Sequence, residues 1–239
     1  PRRVTRLTEP RDRSMIPAVP EPPSGKRVAK ILFVGNSHTF FWNLPETLRA
    51  MLHSGPADVW IETEASVSGG KNLQWHWSRG DAPRRIREGD FDYVVLQEYS
   101  RTTDPEAIED FRRFDELIRA SGAETLLYCI WNETTFQATV RAAEELQVGL
   151  IPVGHAWHAV GAEHPGIRLV GADNHHAGMY GSFLSACVFY AALSGQSPEG
   201  HPYPATLINE VRIDERRAKL LARAAWEAVR KHGKRLPTL

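Results

Sequence analysis

The chain has 239 residues, 42% of them hydrophobic, with 29 Lys and Arg against 29 Asp and Glu. That supports a genuine core and argues against overall disorder; the formal net charge of zero argues against a general polyanion binder such as a nucleic-acid protein. No run approaches the roughly 18 apolar residues of a membrane span, and two cysteines, Cys129 and Cys187, each inside an apolar run, read as buried thiols rather than a disulfide framework.

Residues 1–25 are rich in Pro (Pro10, Pro17, Pro20, Pro22, Pro23) and Arg and show neither helical nor strand periodicity. They read as an extended tail or linker preceding one domain over 26–239. The chain begins at Pro1, no signal-peptide core is visible, and the compartment stays open between secreted, periplasmic and cytoplasmic. Oligomeric state is likewise open.

From Arg27 the pattern changes to short apolar runs of strand length: Ala29–Val34, Val59–Glu62, Tyr93–Leu96, Thr125–Ile130 and Gly149–Val153. Amphipathic stretches lie between them. Asn43 with Glu46 reads as an N-cap signal before Leu48, Met51 and Leu52. Asp104-Pro105 opens a helix that turns Ile108, Phe111, Phe114 and Ile118 inward and closes at Gly122. Phe136, Val140, Ala143 and Leu146 mark a third helix. A strongly apolar helix runs from Met179 to Gly195, and a terminal one begins at Ile213-Asp214 with basic residues in its last turn. Strands alternating with helices predict an α/β fold, a parallel sheet with helices on both faces. Chemistry then collects at the carboxyl ends of the strands.

Four segments there carry reactive groups. Gly35-Asn36-Ser37-His38-Thr39 follows the first strand; a serine in such a turn can aim its hydroxyl into the crevice, though the segment alone is equally an ordinary βα turn. Ser66-Val67-Ser68-Gly69-Gly70 follows the second, and its glycines either leave backbone N–H groups uncovered or supply a turn with positive φ. Gln97, in Leu96-Gln97-Glu98-Tyr99, can donate an amide N–H into the crevice or tie down a loop. In Asp173-Asn174-His175-His176 a carboxylate three residues before an imidazole can orient it, with His175 expected to face solvent. Together they offer a nucleophile, oxyanion donors, a base and an orienter, the set for acyl transfer.

With these blocks in that order the chain resembles the SGNH (GDSL-like) hydrolase superfamily over about residues 28–195. Gly35-Asn36-Ser37 is similar to the family's Gly-Asp-Ser, and Ala65-Ser66-Val67-Ser68-Gly69 to its oxyanion-glycine block. Asp173-x-x-His176, followed by Gly181-Ser182-Phe183-Leu184, is similar to its last block. The usual Gly-x-Asn-Asp is absent, and Gln97 stands where its Asn would be. A branch with Gly-Asn-Ser-His-Thr and a Leu-Gln strand end looks closest. The resemblance implies a three-layer α/β/α flavodoxin-like sandwich with a five-stranded parallel sheet in the order 2-1-3-4-5. It implies ester hydrolysis without metal or other cofactor: Ser37 as nucleophile, His176 as base, Asp173 as its orienter. The Ser37 and Gly69 N–H groups and the Gln97 amide would form the oxyanion hole.

Aromatic residues follow these loops: Phe40, Phe41 and Trp42, then Trp75 and Trp77, then Trp131. Flat rings suit sugar faces or acyl chains, and Trp42, Trp75 and Trp131 are the expected substrate contacts. With no long apolar lid segment, a small acyl group such as acetyl, on a small-molecule or glycan ester, is expected. Two alternatives remain at this level. One is a metal held by His38, His175, His176 and Asp173; the other is a non-catalytic carbohydrate-binding or interaction module on an inactivated hydrolase fold.

Overall fold

The computed structural model describes residues 21–201, 213–237 and 239; most of the Pro-rich segment before residue 26 lies outside them. Five strands form one all-parallel sheet in the order β2-β1-β3-β4-β5. They are β1 (Val28–Gly35), β2 (Trp60–Val67), β3 (Tyr93–Leu96), β4 (Glu124–Tyr128) and β5 (Gly149–Ile151). The expected architecture and strand order are those observed.

Successive side chains of a strand point to opposite faces, and the central strands are apolar on both. In β1, Ile31 and Phe33 join one core while Leu32 and Val34 join the other; in β3, Val95 and Val94 divide the same way. The first core packs α2 (Leu44–Ser54), α7 (Val153–Glu163), α8 (Met179–Ser194) and α9 (Glu215–His232) against the sheet. The second packs α3 (Leu73–Arg79), α4 (Ala82–Glu88), α5 (Asp104–Ala120) and α6 (Glu133–Leu146). α8 is apolar all round because it lies between the sheet and α9, and Gly195 closes it with φ +65°. Among the described residues no helix is long and apolar enough to cross a membrane.

Several boundaries differ from the sequence expectation. β2 runs on to Val67, so Ser66 lies in the strand rather than in the loop after it. Val153 is not strand; it opens α7, which the sequence reading left out. Asn43 does not cap α2 through its side chain. It sits at φ 49° beside Trp42 at φ 59°, and Glu46 pairs instead with Arg49. Left-handed backbone at two non-glycine residues is uncommon. Here the Trp42 indole N–H donates to the Ala177 carbonyl at 2.9 Å, and the Thr47 hydroxyl to the Trp42 carbonyl at 3.2 Å.

The chain leaves β1 for β2 on one side and returns to β3 on the other. That reversal of strand order opens a crevice at the carboxyl end of β1, where ligands of open α/β sheets bind.

Candidate active site

Gly35 ends β1 under close approach from two sides: a Cβ there would meet the Thr39 hydroxyl oxygen at 2.6 Å and Gln97 Oε1 at 2.7 Å. Beyond it, α1 (Ser37–Phe40) begins, capped by the Asn36 side chain, which accepts from the His38 N–H at 3.1 Å. The Asn36 amide also donates to the Lys71 carbonyl at 3.0 Å, and the Ser68 N–H donates to the Gly35 carbonyl at 3.1 Å. The buried His76 of α3 lies with Nε2 2.8 Å from the same Gly35 carbonyl. The turn bearing Ser37 is thus bound to the loop bearing Gly69.

Ser37 is the first residue of α1, where helix N–H groups have no intrahelical acceptor. Neither the Ser37 nor the Gly69 backbone N–H has a hydrogen-bond partner among the described residues. A Cβ on Gly69 would meet only the Phe40 ring, at 3.8 Å, so this glycine leaves its surroundings open. The positive φ of the turn falls instead on Gly70, at +67°.

Asp173 and His176 meet directly. Asp173 Oδ2 lies 2.6 Å from His176 Nδ1, while Oδ1 accepts the backbone N–H groups of His175 and His176, each at 3.0 Å. The bond to the imidazole, followed by the His175 N–H, holds the carboxyl down at a pKa of about 2. Asn174, at φ 57°, and the Gly171 N–H bond to the His176 carbonyl (2.8 Å) close the turn. With Nδ1 engaged by the carboxylate, the free face of the ring is Nε2.

His176 is brought to α1 by ring contacts. Its imidazole stacks on Phe41 (centroids 4.1 Å, planes 6° apart) and lies 5.5 Å from the ring of His38, the neighbour of Ser37. His175 does not simply face solvent: it is half-buried, its ring 4.8 Å from both His38 and His176. His38 is 4% exposed with no partner for either ring nitrogen, and burial, then the neighbouring imidazoles, push its pKa down to about 3. Phe41 and His38 are site residues the sequence reading did not assign to this role. Nothing local marks them, because the imidazoles they meet, His175 and His176, lie more than 130 residues away.

Gln97 is buried, and its amide faces the turn. Oε1 accepts from the Asn36 N–H (3.0 Å) and the Thr39 hydroxyl (2.9 Å), while Nε2 donates to the Glu98 carbonyl. The two donors aimed at Oε1 fix which end of the amide is oxygen.

The aromatic residues divide. Trp131 stacks on Trp157 (3.6 Å, 2°) and meets His38 edge-on at 5.0 Å, so it belongs to the site wall. Trp75 lies partly exposed on α3 with the Lys71 ammonium 5.6 Å above its ring. Trp42 is bonded to Ala177 and packed against the core. Trp77 packs edge-on to Phe114 under Arg113, on the α5 side. Among the described residues Phe40 is the large hydrophobic side chain that stands exposed. Among the described residues no three His, Cys, Asp or Glu side chains are arranged to hold a metal, so His38, His175, His176 and Asp173 do not form the ligand set of the alternative reading.

Solved structures share this architecture. Axe2, an acetylxylan esterase from Geobacillus stearothermophilus, superposes with a TM-score of 0.56 at 13% identity, covering 67% of this chain and 92% of its own. The acetyl xylan esterase AlAXEase gives 0.56 at 15%, covering 68% and 98%. TesA gives 0.55 at 15%, covering 67% and 96%. No family model and no curated protein sequence matches the chain. The chain therefore has the fold of these proteins.

Proposed function

We propose that this chain is a serine esterase that removes a small acyl group, acetyl foremost, from a carbohydrate alcohol. The observation that carries the reading is the 2.6 Å Asp173–His176 pair, set by the Phe41 stack against the short helix that Ser37 opens. The acetylxylan esterases of the same fold favour acetyl and a sugar, and Trp131, whose ring meets His38 at 5.0 Å, is the aromatic residue placed to border the bound ester.

In this mechanism the Ser37 hydroxyl oxygen attacks the ester carbonyl carbon, and its proton passes to His176 Nε2. Asp173 keeps Nδ1 protonated and stabilises the imidazolium. The carbonyl oxygen becomes an oxyanion, held by the Ser37 and Gly69 N–H groups, which have no acceptor of their own. Collapse expels the sugar alkoxide, which takes the proton from His176. Water then attacks the acyl-enzyme with His176 again as base, releasing acetate and regenerating Ser37. In this reading Gln97 holds the turn through the Asn36 N–H and Thr39 hydroxyl, and the hole rests on the two backbone donors.

A fluorophosphonate should leave one adduct, on Ser37, and Ser37→Ala should abolish both the adduct and hydrolysis of p-nitrophenyl acetate. Released acetate measured over a panel of acetylated xylan, mannan and monosaccharides tests the alcohol. An adduct on another serine, or wild-type turnover retained in Ser37→Ala, refutes the mechanism and leaves the non-catalytic binding module.

A further inference from the structure

The end of β3 carries two consecutive buried polar side chains, Gln97 at 1% exposure and Glu98 at 0%. Gln97 bonds to the nucleophile turn, as described. Glu98 bonds elsewhere: its Oε1 accepts from the Leu73 N–H at 3.2 Å, from the Thr102 hydroxyl at 3.0 Å and from its neighbour Tyr99 N–H, and its Oε2 lies 3.4 Å from the same Leu73 nitrogen. Leu73 opens α3, three residues after Gly70.

None of the bonds to Glu98 comes from a cation. A buried carboxylate held only by neutral donors is costly, and burial raises its pKa to about 7. Capping a helix alone does not call for it, since Asn72 already accepts from the Trp75 N–H at 3.0 Å. What Glu98 adds is a bond between the β3 end and the far end of the Gly69–Asn72 loop. The near end of that loop is bound to β1 through the Ser68 N–H and Gly35, and its middle through Lys71 and Asn36. The loop that offers the Gly69 N–H is therefore fixed relative to Ser37 at Ser68, at Lys71 and at α3, where Glu98 holds the first N–H and His76 lies one turn on against the Gly35 carbonyl.

We propose that Glu98 is a positioning residue for ester hydrolysis: by holding the start of α3 it sets the Gly69 backbone at the height of Ser37. The role rests on the esterase reading above. Gln97 and Glu98 then act as one yoke, adjacent residues on β3 that hold the nucleophile turn and the oxyanion loop in mutual register. A displacement of about 1 Å of a positioned group can cost on the order of 100-fold in rate. The loss should therefore appear in kcat rather than in KM.

The test uses the full chain and two variants. Glu98→Gln keeps the side-chain volume but puts an NH2 group where one carboxylate oxygen stood; Glu98→Leu removes every acceptor. On p-nitrophenyl acetate, kcat should fall about 10- to 100-fold in Glu98→Gln with KM within about twofold. The rate of fluorophosphonate addition to Ser37 should fall in parallel. Amide hydrogen exchange should speed up in residues 68–74 and stay unchanged in α8. Should Glu98→Leu fail to fold, Glu98→Gln decides alone. A folded Glu98→Gln with wild-type kcat, or with wild-type exchange in 68–74, overturns the proposal. So does a loss of protection spread equally over α8, which marks general destabilisation. Wild-type protein that takes no phosphonate on Ser37 overturns the esterase reading instead, and the two failures are distinguished because that one needs no substitution.

Discussion

Asn36 N–H and the Thr39 hydroxyl both converge on one oxygen, that of the Gln97 side chain, inside a site from which water is excluded. Removing that oxygen leaves two buried donors unsatisfied, each costing about 1–3 kcal/mol. Gln97→Ala should therefore lower the melting temperature by several degrees, since about 1 kcal/mol corresponds to roughly 2–4 °C in a chain of this size. Its kcat should fall by less than about tenfold, whereas losing an oxyanion donor typically costs 100- to 1,000-fold. Thermal melts and steady-state kinetics on the same preparation separate the two roles. An intact melting temperature with a hundredfold loss of kcat would instead place Gln97 in the oxyanion hole, as the resemblance implies. The residues alone left these two roles of a strand-end amide open and the family resemblance implied the oxyanion donor; the bonds its Oε1 accepts from Asn36 and Thr39 favour the anchor. Asp173 and His176 were legible because they are local, three residues apart in one turn. The pairing of Phe41 with His176 was not, because it is made across 135 positions by the fold itself.

α8 shows how a core helix bears on the candidate site. Gly181 lies on this helix with no room for a side chain: a Cβ would meet the Leu169 carbonyl oxygen at 2.3 Å and the Trp157 ring at 2.4 Å. Trp157 is the ring on which Trp131 stacks, and Trp131 meets His38. Gly181→Ala should thus push through two indoles toward the Ser37 turn. Overpacking of this kind costs typically about 1–3 kcal/mol. We expect a lower urea midpoint together with a fall in kcat, and an unchanged midpoint would show that α8 shifts freely. The elements legible in the sequence were those with continuous apolar runs or long amphipathic periods, such as β1, β3, α5 and α8. Apart from α7, whose first residue was taken into the preceding strand, those missed are short or mixed. α3 and α4 have seven residues each, too few to display a period of 3.6, and the second half of β2 alternates polar residues at the sheet edge.

At the scale of the whole molecule, buried titratable groups of opposite kind set the pH response. Burial pushes His38 down to about 3, His155 down to about 4, and His76 down as well. Unfolded, these imidazoles bind a proton near pH 6.5. The unfolded state thus takes up more protons below 6.5, and stability falls as pH falls toward 4. Glu98 and Asp110 work the other way. Burial raises them to about 7 and about 6, above their unfolded values, so the folded state takes up protons first and gains stability as pH falls from 7 toward 4.5. Between pH 7 and 5 the two sets oppose each other, and stability should change little. Single substitutions should unmask each set. His38→Leu should gain stability relative to wild type as pH drops from 7.5 to 5, and Glu98→Gln should lose it over the same range. Denaturant unfolding of the three proteins at pH 7.5, 6 and 5 measures both slopes, and parallel curves would refute the assignment. Below about pH 4.5 the buried acids have nothing further to contribute, while His38 continues to withdraw stability. Asp173, held at about 2 by His176, begins to lose its own contribution as pH falls below its unfolded value near 3.9. Acid unfolding should therefore set in below pH 4.5, and the Asp173–His176 pair should break within that transition.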